Sequence, residues 1–270
     1  MGSAYLVCAT PRSGSTLLCE GLKATGVAGR PEEYFEAVAA TGRPRRPEDY
    51  LRGLHDPEVH ALVAAAGEPE PPAYSSLAGL HGYAEHLERV RRWGTTPNGV
   101  FGAKLMWDHL AELRARVRPV PPLELLAELF DRPRYVWVRR ADVVRQAVSL
   151  WRALQTQSWR DESGAQPRAC VEPRYSFPAI RHLVARLRDH DTRWGTLLSV
   201  ADAPVLEVGY EELTADLPGA IRRTLAHVGV PEPRRAPSVP AMRRQSDELS
   251  EAWVAAYDRD ARPDSLATPI

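Results

Sequence analysis

The start of the chain carries the pattern that most limits its fold. Residues 4–10 (AYLVCAT) are a short apolar run, typical of a buried parallel strand. The polar sequence PRSGST follows at residues 11–16, and Leu17, Leu18 and Leu22 then recur at helical spacing. A strand, a tight polar turn and a helix in this order predict the first unit of an α/β domain.

Further along the chain, strand-like and helix-like segments alternate. Three more apolar runs predict strands at 100–105, 134–138 and 204–208. Amphipathic stretches predict helices at 79–93, 107–116, 122–130, 141–157, 176–200, 215–229 and 248–258. This alternation favours a doubly wound parallel sheet that is flanked by helices.

Residues 41–97 carry helix signals and no convincing strand, so we interpret them as a helical insertion after the first strand–helix unit. An insertion at the carboxyl end of a parallel strand tends to cover the ligand crevice and would lie on the acceptor side. Plain helical packing is the alternative. The proline-rich breaks in the chain are typical of loops. We therefore expect residues 1–270 to form a single domain.

Composition limits the partners of the protein. The chain of 270 residues has 35 basic and 35 acidic residues, and a balanced charge argues against a surface that binds nucleic acid or an anionic membrane. The three cysteines have no CxxC spacing, so neither a disulfide framework nor a zinc knuckle is indicated. No apolar run reaches the roughly 20 residues that a membrane span needs. We expect a cytoplasmic protein.

The PRSGST turn has the residues that an anion-binding loop needs. A turn between a strand and a helix directs backbone N–H groups and the helix dipole at one point. Gly14 permits a close approach of the backbone, and Arg12 adds a fixed positive charge. Ser13, Ser15 and Thr16 offer hydroxyl donors, although a simple helix N-cap also favours such residues.

The turn lacks the lysine of the nucleoside triphosphate loop. That motif reads GxxxxGK[ST], and its lysine reaches the β- and γ-phosphates. In this chain Ser15 follows Gly14, and Ala9 stands where the first glycine belongs. The loop therefore favours a smaller group, such as a single 5′-phosphate that carries one transferable unit.

Four ordered blocks of sequence point to a known family. They are AYLVCATPRSGSTLLCEGLKATGVAG with EEYF shortly after, TTPNGVFGAKLMW (95–107), RRADVVRQAVSLWRALQTQSWR (139–160) and RRQSDELSEAWVAAYDRD (243–260). These blocks resemble the bacterial trehalose 2-sulfotransferase family over most of the chain, with looser matches at 41–94 and 161–240. The resemblance implies a P-loop-like fold and transfer of a sulfuryl group from 3′-phosphoadenosine 5′-phosphosulfate (PAPS) to a sugar hydroxyl. The family also tends to form homodimers.

The resemblance implies which residues bind the donor. Residues 12–16 (Arg12, Ser13, Gly14, Ser15 and Thr16) should hold the 5′-phosphosulfate. Arg140 and Ser149 match the family element RxDxxxQAVS, which binds the 3′-phosphate. Nine helical residues span about two and a half turns. Arg140 and Ser149 can therefore reach one phosphate only if Arg140 precedes the helix. Asp142 is the predicted N-cap of that helix. Arg244 and Gln245 are expected to close over the nucleotide.

A carboxylate and a lysine are the candidates for the chemistry, with Arg12 beside them. Glu33, in the sequence PEEYF (residues 31–35), matches the family's proposed catalytic carboxylate, and a solvated surface residue is the alternative. Lys104 closes a predicted strand in a chain with 33 arginines and two lysines, which suggests a site that needs a compact charge. The other lysine, Lys23, has the sequence context of an ordinary helix-surface residue.

The sequence says less about the residues that contact the acceptor and about the identity of the acceptor. We expect Glu33, Tyr34 and Trp107 to face the acceptor, although Trp107 and Trp159 suit core packing equally well. Tyr34 stands where the family has phenylalanine, and Arg30 where it has an acidic residue. Such changes alter specificity, so another sugar or a glycosylated secondary metabolite is an alternative acceptor.

Other chemistry has less support in the sequence. None of the eight histidines has triad-like surroundings, and no group of residues has metal-ligand spacing, so we expect no metal. Two other classes of function are compatible with an anion loop. One is a P-loop kinase, which the missing lysine disfavours, and the other is a nucleotide-binding protein without turnover.

Overall fold

The computed structural model describes residues 3–36, 46–65, 83–159, 172–233 and 248–262. Within these residues, one sheet is formed by β1 (Ala4–Ala9), β2 (Phe101–Met106), β3 (Arg134–Arg139) and β4 (Val205–Gly209). The strand order is β2-β1-β3-β4, and every pairing is parallel. The four predicted strands are confirmed to within one residue at each end.

The described helices follow the predicted alternation. They are α1 (Ser15–Ala24), α2 (Pro47–Tyr50), α3 (Pro57–Ala64), α4 (Tyr83–Gly94), α5 (Trp107–Arg116), α6 (Pro122–Phe130), α7 (Val143–Thr156), α8 (Phe177–Ser199), α9 (Tyr210–Ala215), α10 (Leu217–Val228) and α11 (Glu248–Asp260). The sequence did not predict α9, because six residues are too few to show a helical period. In the described part of the chain, no helix combines the length and the apolar character that crossing a bilayer requires.

Helices cover both faces of the sheet. Because alternate strand residues point to opposite faces, Leu6 and Cys8 of β1 pack in one core, with α4, α5, α6 and the end of α8. Tyr5, Val7 and Ala9 pack in a second core with α1, α9 and α10. The prediction of a doubly wound parallel sheet is therefore confirmed.

The described residues group into two compact units. The first contains residues 3–36, 83–141 and 190–233, and therefore the whole sheet. The second contains residues 46–65, 142–159, 172–189 and 248–262, whose core includes the buried Trp151, Ile180 and Trp253. The insertion predicted at 41–97 is helical where it is described, and its residues divide between the units. A single domain over 1–270 stays a prediction.

The strand order reverses between β1 and β3. The chain passes from β1 to β2 on one side of β1 and then crosses to β3 on the other side. In doubly wound sheets, ligands bind at the carboxyl edge beside such a reversal. Arg12 lies in the loop after β1 and Arg140 in the loop after β3. The Nη1 of Arg140 donates to the carbonyl oxygen of Arg12 at 3.4 Å, so the two predicted donor-binding loops meet.

A close approach between β1 and β2 gives a test of the core. A Cβ at Gly102 would lie 2.7 Å from the hydroxyl oxygen of Tyr5, which already donates to the carbonyl oxygen of Ala28. We expect Gly102→Ala to lower the free energy of unfolding by about 1–3 kcal/mol in urea denaturation. Gly209→Ala is the matched control, because the nearest atom to its added Cβ lies 3.7 Å away. Equal losses in the two variants would contradict this explanation.

Candidate active site

The turn after β1 leaves α1 without a side-chain cap. The N-cap residue is Gly14, whose φ is +89°, and because glycine has no side chain the first amides of α1 receive no cap from this position. A Cβ at Gly14 would be strained by that φ and would lie 2.8 Å from Cδ2 of Tyr210. The alternative in which the Ser and Thr residues of the turn serve only as an N-cap is therefore wrong.

Ser13 adds a second feature that a bound anion would explain. Ser13 is fully buried, and its Oγ has no hydrogen-bond partner among the described residues. A buried hydroxyl without a partner costs about 1–3 kcal/mol, so it is rare unless a ligand or water completes it. The uncapped amides and the dipole of α1 favour negative charge at the same turn. An anion would satisfy both features.

Two arginines flank this turn. Arg12 is half-buried and adopts a left-handed backbone conformation, with φ at +63°. The guanidinium of Arg140 lies over the ring of Tyr210, 4.2 Å from its centroid. Arg140 precedes α7, and Asp142 caps that helix by accepting from the amide of Arg145 at 2.9 Å, as predicted. These positions bring positive charge to the carboxyl edge of β1 and β3.

For three other residues that are predicted to bind the donor, the structure does not show a position at the turn. Ser149 lies half-buried on α7, in the second unit, so its contact with the 3′-phosphate stays a prediction. Arg244 and Gln245 lie outside the described residues.

Lys104 connects the anion-binding turn to the candidate base. Its side chain is 3% exposed, and its Nζ lies 2.6 Å from Oε1 of Glu33. The same Nζ donates to Oγ1 of Thr16 at 3.0 Å. Burial lowers the pKa of Lys104, but the charge and hydrogen bond of Glu33 together with the neighbouring Cys19 and Glu32 outweigh it, and the pKa is raised. The ammonium therefore stays charged at neutral pH.

The PEEYF segment holds Glu33 at the mouth of the site. Tyr34 and Phe35 are 1% exposed and anchor the segment, while the side chain of Glu33 is 23% exposed. The amide of Lys104 donates to the carbonyl oxygen of Glu32 at 2.9 Å, which attaches the segment to β2. Glu33 is thus an ion-paired and partly exposed carboxylate, and its role as the catalytic carboxylate stays a prediction.

The structure gives Tyr34 an internal role. Its hydroxyl donates to the carbonyl oxygen of Arg30 at 2.6 Å, within the same segment. The predicted contact of Tyr34 with the acceptor stays a prediction. Tyr34 helps to fix the backbone around Glu33.

His109 is the residue of this site that the sequence did not indicate. It is 3% exposed in the first turn of α5, and its Nδ1 accepts from the amide of Met106 at 3.3 Å. Its Nε2 lies 4.0 Å from Oε2 of Glu33. Because Nδ1 accepts, the proton of the neutral ring is on Nε2, facing Glu33. The sequence signal that could have indicated His109 as a site residue is its position just after the strand that carries Lys104.

A possible cation position includes the same residues. Glu33, Glu36 and His109 offer three ligand atoms within 4.8 Å of one another, a group that the sequence spacing did not show. Because Glu33 is already paired with Lys104, a cation would compete with that ammonium. The expectation that no metal takes part stays a prediction.

The tryptophans and cysteines have structural roles in the described residues. Trp107 packs edge-on against Trp194 with centroids 5.2 Å apart, and Trp159 lies 5.7 Å from the ring of Tyr50. Both tryptophans therefore pack against aromatic side chains, and the contact of Trp107 with the acceptor stays a prediction. Cys8 and Cys19 are buried free thiols, and Cys170 lies outside the described residues.

Comparison with known proteins identifies the family. The family model described as Stf0 sulphotransferase matches residues 4–260, which is almost the whole chain. The chain belongs to this family. The resemblance noted in the four sequence blocks is thereby confirmed.

Two curated relatives agree with that assignment, and a solved structure covers a similar share of the chain. The trehalose 2-sulfotransferase of Mycobacterium tuberculosis is 37% identical over 264 residues, 95% of either chain. The trehalose 2-sulfotransferase of Mycolicibacterium smegmatis is 35% identical over 271 residues, 98% of this chain and 97% of that one. A solved sulfotransferase from Alicyclobacillus acidocaldarius aligns over 96% of this chain and 92% of its own, with 12% identity and a TM-score of 0.49.

The raised pKa of Lys104 predicts a pH dependence of stability. The stability that this shift provides is fully present below the pKa of an unfolded lysine, about 10.4, and is lost as the pH rises through the folded pKa. Lys104→Met removes the titrating group. Urea denaturation gives the free energy of unfolding of the wild type and of Lys104→Met. We expect the difference between the two to be constant below about pH 9.5. Above about pH 10.5, the wild type should lose stability relative to Lys104→Met. A difference independent of pH would contradict the raised pKa.

Proposed function

We propose that this sulfotransferase moves the sulfuryl group of PAPS to a hydroxyl group of a sugar. The observation that carries the proposal is the position of Lys104, whose Nζ contacts both Thr16 (3.0 Å) and Glu33 (2.6 Å). One ammonium therefore joins the turn that would hold the donor to the carboxylate that would activate the acceptor. Because two curated relatives are named trehalose 2-sulfotransferase, trehalose is the first candidate acceptor.

The turn after β1 suits the 5′-phosphosulfate of the donor. The uncapped amides of α1 and the unpartnered Oγ of Ser13 would donate to its oxygens, and Arg12 would add positive charge. Gly14 lets the backbone approach closely, since this position has no room for a Cβ. Arg140, at the end of β3, would bind the 3′-phosphate of the same nucleotide.

The reaction moves one group and one proton. The acceptor oxygen attacks sulfur and forms a new S–O bond. The bond from sulfur to the bridging oxygen breaks, and its electron pair stays on the 5′-phosphate of the product, 3′-phosphoadenosine 5′-phosphate. Glu33 takes the proton of the acceptor hydroxyl. Preorganised donors at the leaving oxygen each lower the barrier by roughly 3–4 kcal/mol, and Lys104 and the amides of α1 would supply them.

The surroundings of Glu33 fit a base with one fixed orientation. Lys104 contacts one carboxylate oxygen, and Nε2 of His109 faces the other at 4.0 Å. The two neighbours limit rotation of the carboxylate, which keeps an oxygen directed at the acceptor. Proper orientation of a base contributes much of its catalytic effect.

A transfer screen tests the proposed function. The protein is incubated with PAPS and with trehalose, other disaccharides or glycosylated secondary metabolites, and products are read by mass spectrometry. We expect an acceptor whose mass rises by one sulfuryl group, together with the 3′,5′-bisphosphate. Phosphoryl transfer from ATP and magnesium would instead indicate a kinase. Binding of the bisphosphate without transfer to any acceptor would indicate a protein without turnover.

Removal of the proposed base should stop catalysis and leave donor binding intact. We expect Glu33→Gln to lower kcat by roughly 10²-fold or more, because an amide cannot take the proton. Thermal stabilisation by the bisphosphate should match that of the wild type. Glu88→Gln, on an exposed position of α4, is the matched control and should keep full activity. A Glu33→Gln variant with the wild-type rate would remove Glu33 as the base.

Arg140 is tested by comparing two nucleotides. We expect Arg140→Ala to weaken binding of 3′-phosphoadenosine 5′-phosphate about tenfold or more, since a hydrogen bond to a charged group is lost. Adenosine 5′-phosphosulfate lacks the 3′-phosphate, so its binding should hardly change. Arg139→Ala is the control, because Arg139 pairs with Asp191 and Glu207. Equal weakening of the two nucleotides would show that Arg140 does not recognise the 3′-phosphate.

A further inference from the structure

The two lysines of this chain bind neighbouring glutamates. Lys104 pairs with Glu33, and Lys23 on α1 pairs with Glu32. Elsewhere the chain uses arginine, 33 times, for its basic side chains. An ammonium is a compact charge with three donors, whereas a guanidinium is a planar fork that needs more room. The two positions therefore share a requirement for a small cation next to the PEEYF segment.

Lys23 is not the ordinary surface lysine that its sequence context suggested. Its Nζ bonds to carboxylate oxygens of both Glu20, at 2.8 Å, and Glu32. The three side chains are between 20% and 22% exposed, so the cluster is largely shielded from water. Burial would lower the pKa of Lys23, but the bonds to Glu20 and Glu32 outweigh it, and the pKa is raised.

Glu32 is fixed at two points. Its carbonyl oxygen accepts from the amide of Lys104 on β2 at 2.9 Å, and its carboxylate is held by Lys23 on α1. Because Glu33 is the next residue, its backbone position follows from these two attachments. Thr16 and Lys23 are seven residues apart and so lie on one face of α1, where Thr16 meets Lys104.

We propose that Lys23 is a positioning residue for the catalytic carboxylate, because it holds Glu32 and thereby sets the place of Glu33 against Lys104 and the donor. This inference rests on the proposed function of Glu33 as the base. A displacement of about 1 Å in a reacting group can cost up to 10²-fold in rate. Loss of the Lys23–Glu32 pair should therefore lower kcat and leave donor binding unchanged.

A double-mutant cycle tests the pair. We expect Lys23→Met and Glu32→Gln each to lower kcat about tenfold, and the double variant to lower it no further, because both changes break one interaction. The dissociation constant of 3′-phosphoadenosine 5′-phosphate should stay at its wild-type value. Glu20→Gln is the matched control, since Glu20 contacts Lys23 from within α1, and its kcat should be close to that of the wild type. Multiplicative losses, or wild-type kcat in Lys23→Met, would overturn the proposal.

Rates are expressed per bisphosphate-binding site, so a misfolded fraction does not count as lost catalysis. Lys23→Arg keeps the positive charge, and we expect its kcat to lie between those of Lys23→Met and the wild type. An arginine variant with wild-type kcat would contradict the requirement for a compact cation at this position.

A second readout does not depend on turnover. In Lys23→Met the chain has one lysine left, so an NMR titration of lysine Cε signals reports on Lys104 alone. If Glu33 shifts away, the pKa of Lys104 should be lower in Lys23→Met than in the wild type, whereas removal of the Lys23 charge alone would raise it. A pKa of Lys104 that is unchanged or higher in Lys23→Met would refute positioning. A wild type that transfers no sulfuryl group would refute the proposed function separately, and the titration would still decide the role of Lys23.

Discussion

The buried ion pair between Lys104 and Glu33 is the interaction on which the rest of the site depends. An ammonium that is 3% exposed is costly unless charges and hydrogen bonds compensate it, and here Glu33 and Thr16 do so. The pair forms because β2 lies beside β1, which places Lys104 against α1 and the PEEYF segment. The parallel sheet thus brings together two segments that carry different parts of the proposed chemistry.

The turn after β1 is built at some cost to stability. Arg12 has a left-handed backbone conformation, and within the described parts of the chain α1 has no side-chain cap and Oγ of Ser13 is buried without a hydrogen-bond partner. Each feature is unfavourable on its own, and local rules of folding are usually broken where function requires it. A single bound anion would compensate for the last two, which is why their coincidence supports a donor site.

The sequence predicted the sheet well, because buried parallel strands are short apolar runs. It also singled out Glu33 and Lys104, through a family motif and an unusual lysine, and the structure brings these two side chains into contact. It missed His109 and the pairing of Lys23, because both depend on contacts between segments far apart in the chain. It could not show that the hydroxyl of Tyr34 bonds within its own segment, and the contact of Tyr34 with the acceptor stays a prediction.

A crystal structure with 3′-phosphoadenosine 5′-phosphate would test the central claim most directly. The account predicts that the 5′-phosphate accepts hydrogen bonds from the amides of Ser15 and Thr16 and from Oγ of Ser13. It also predicts Nζ of Lys104 between that phosphate and Glu33. A bisphosphate bound away from the PRSGST turn, or one that leaves Ser13 without a hydrogen bond, would contradict the account.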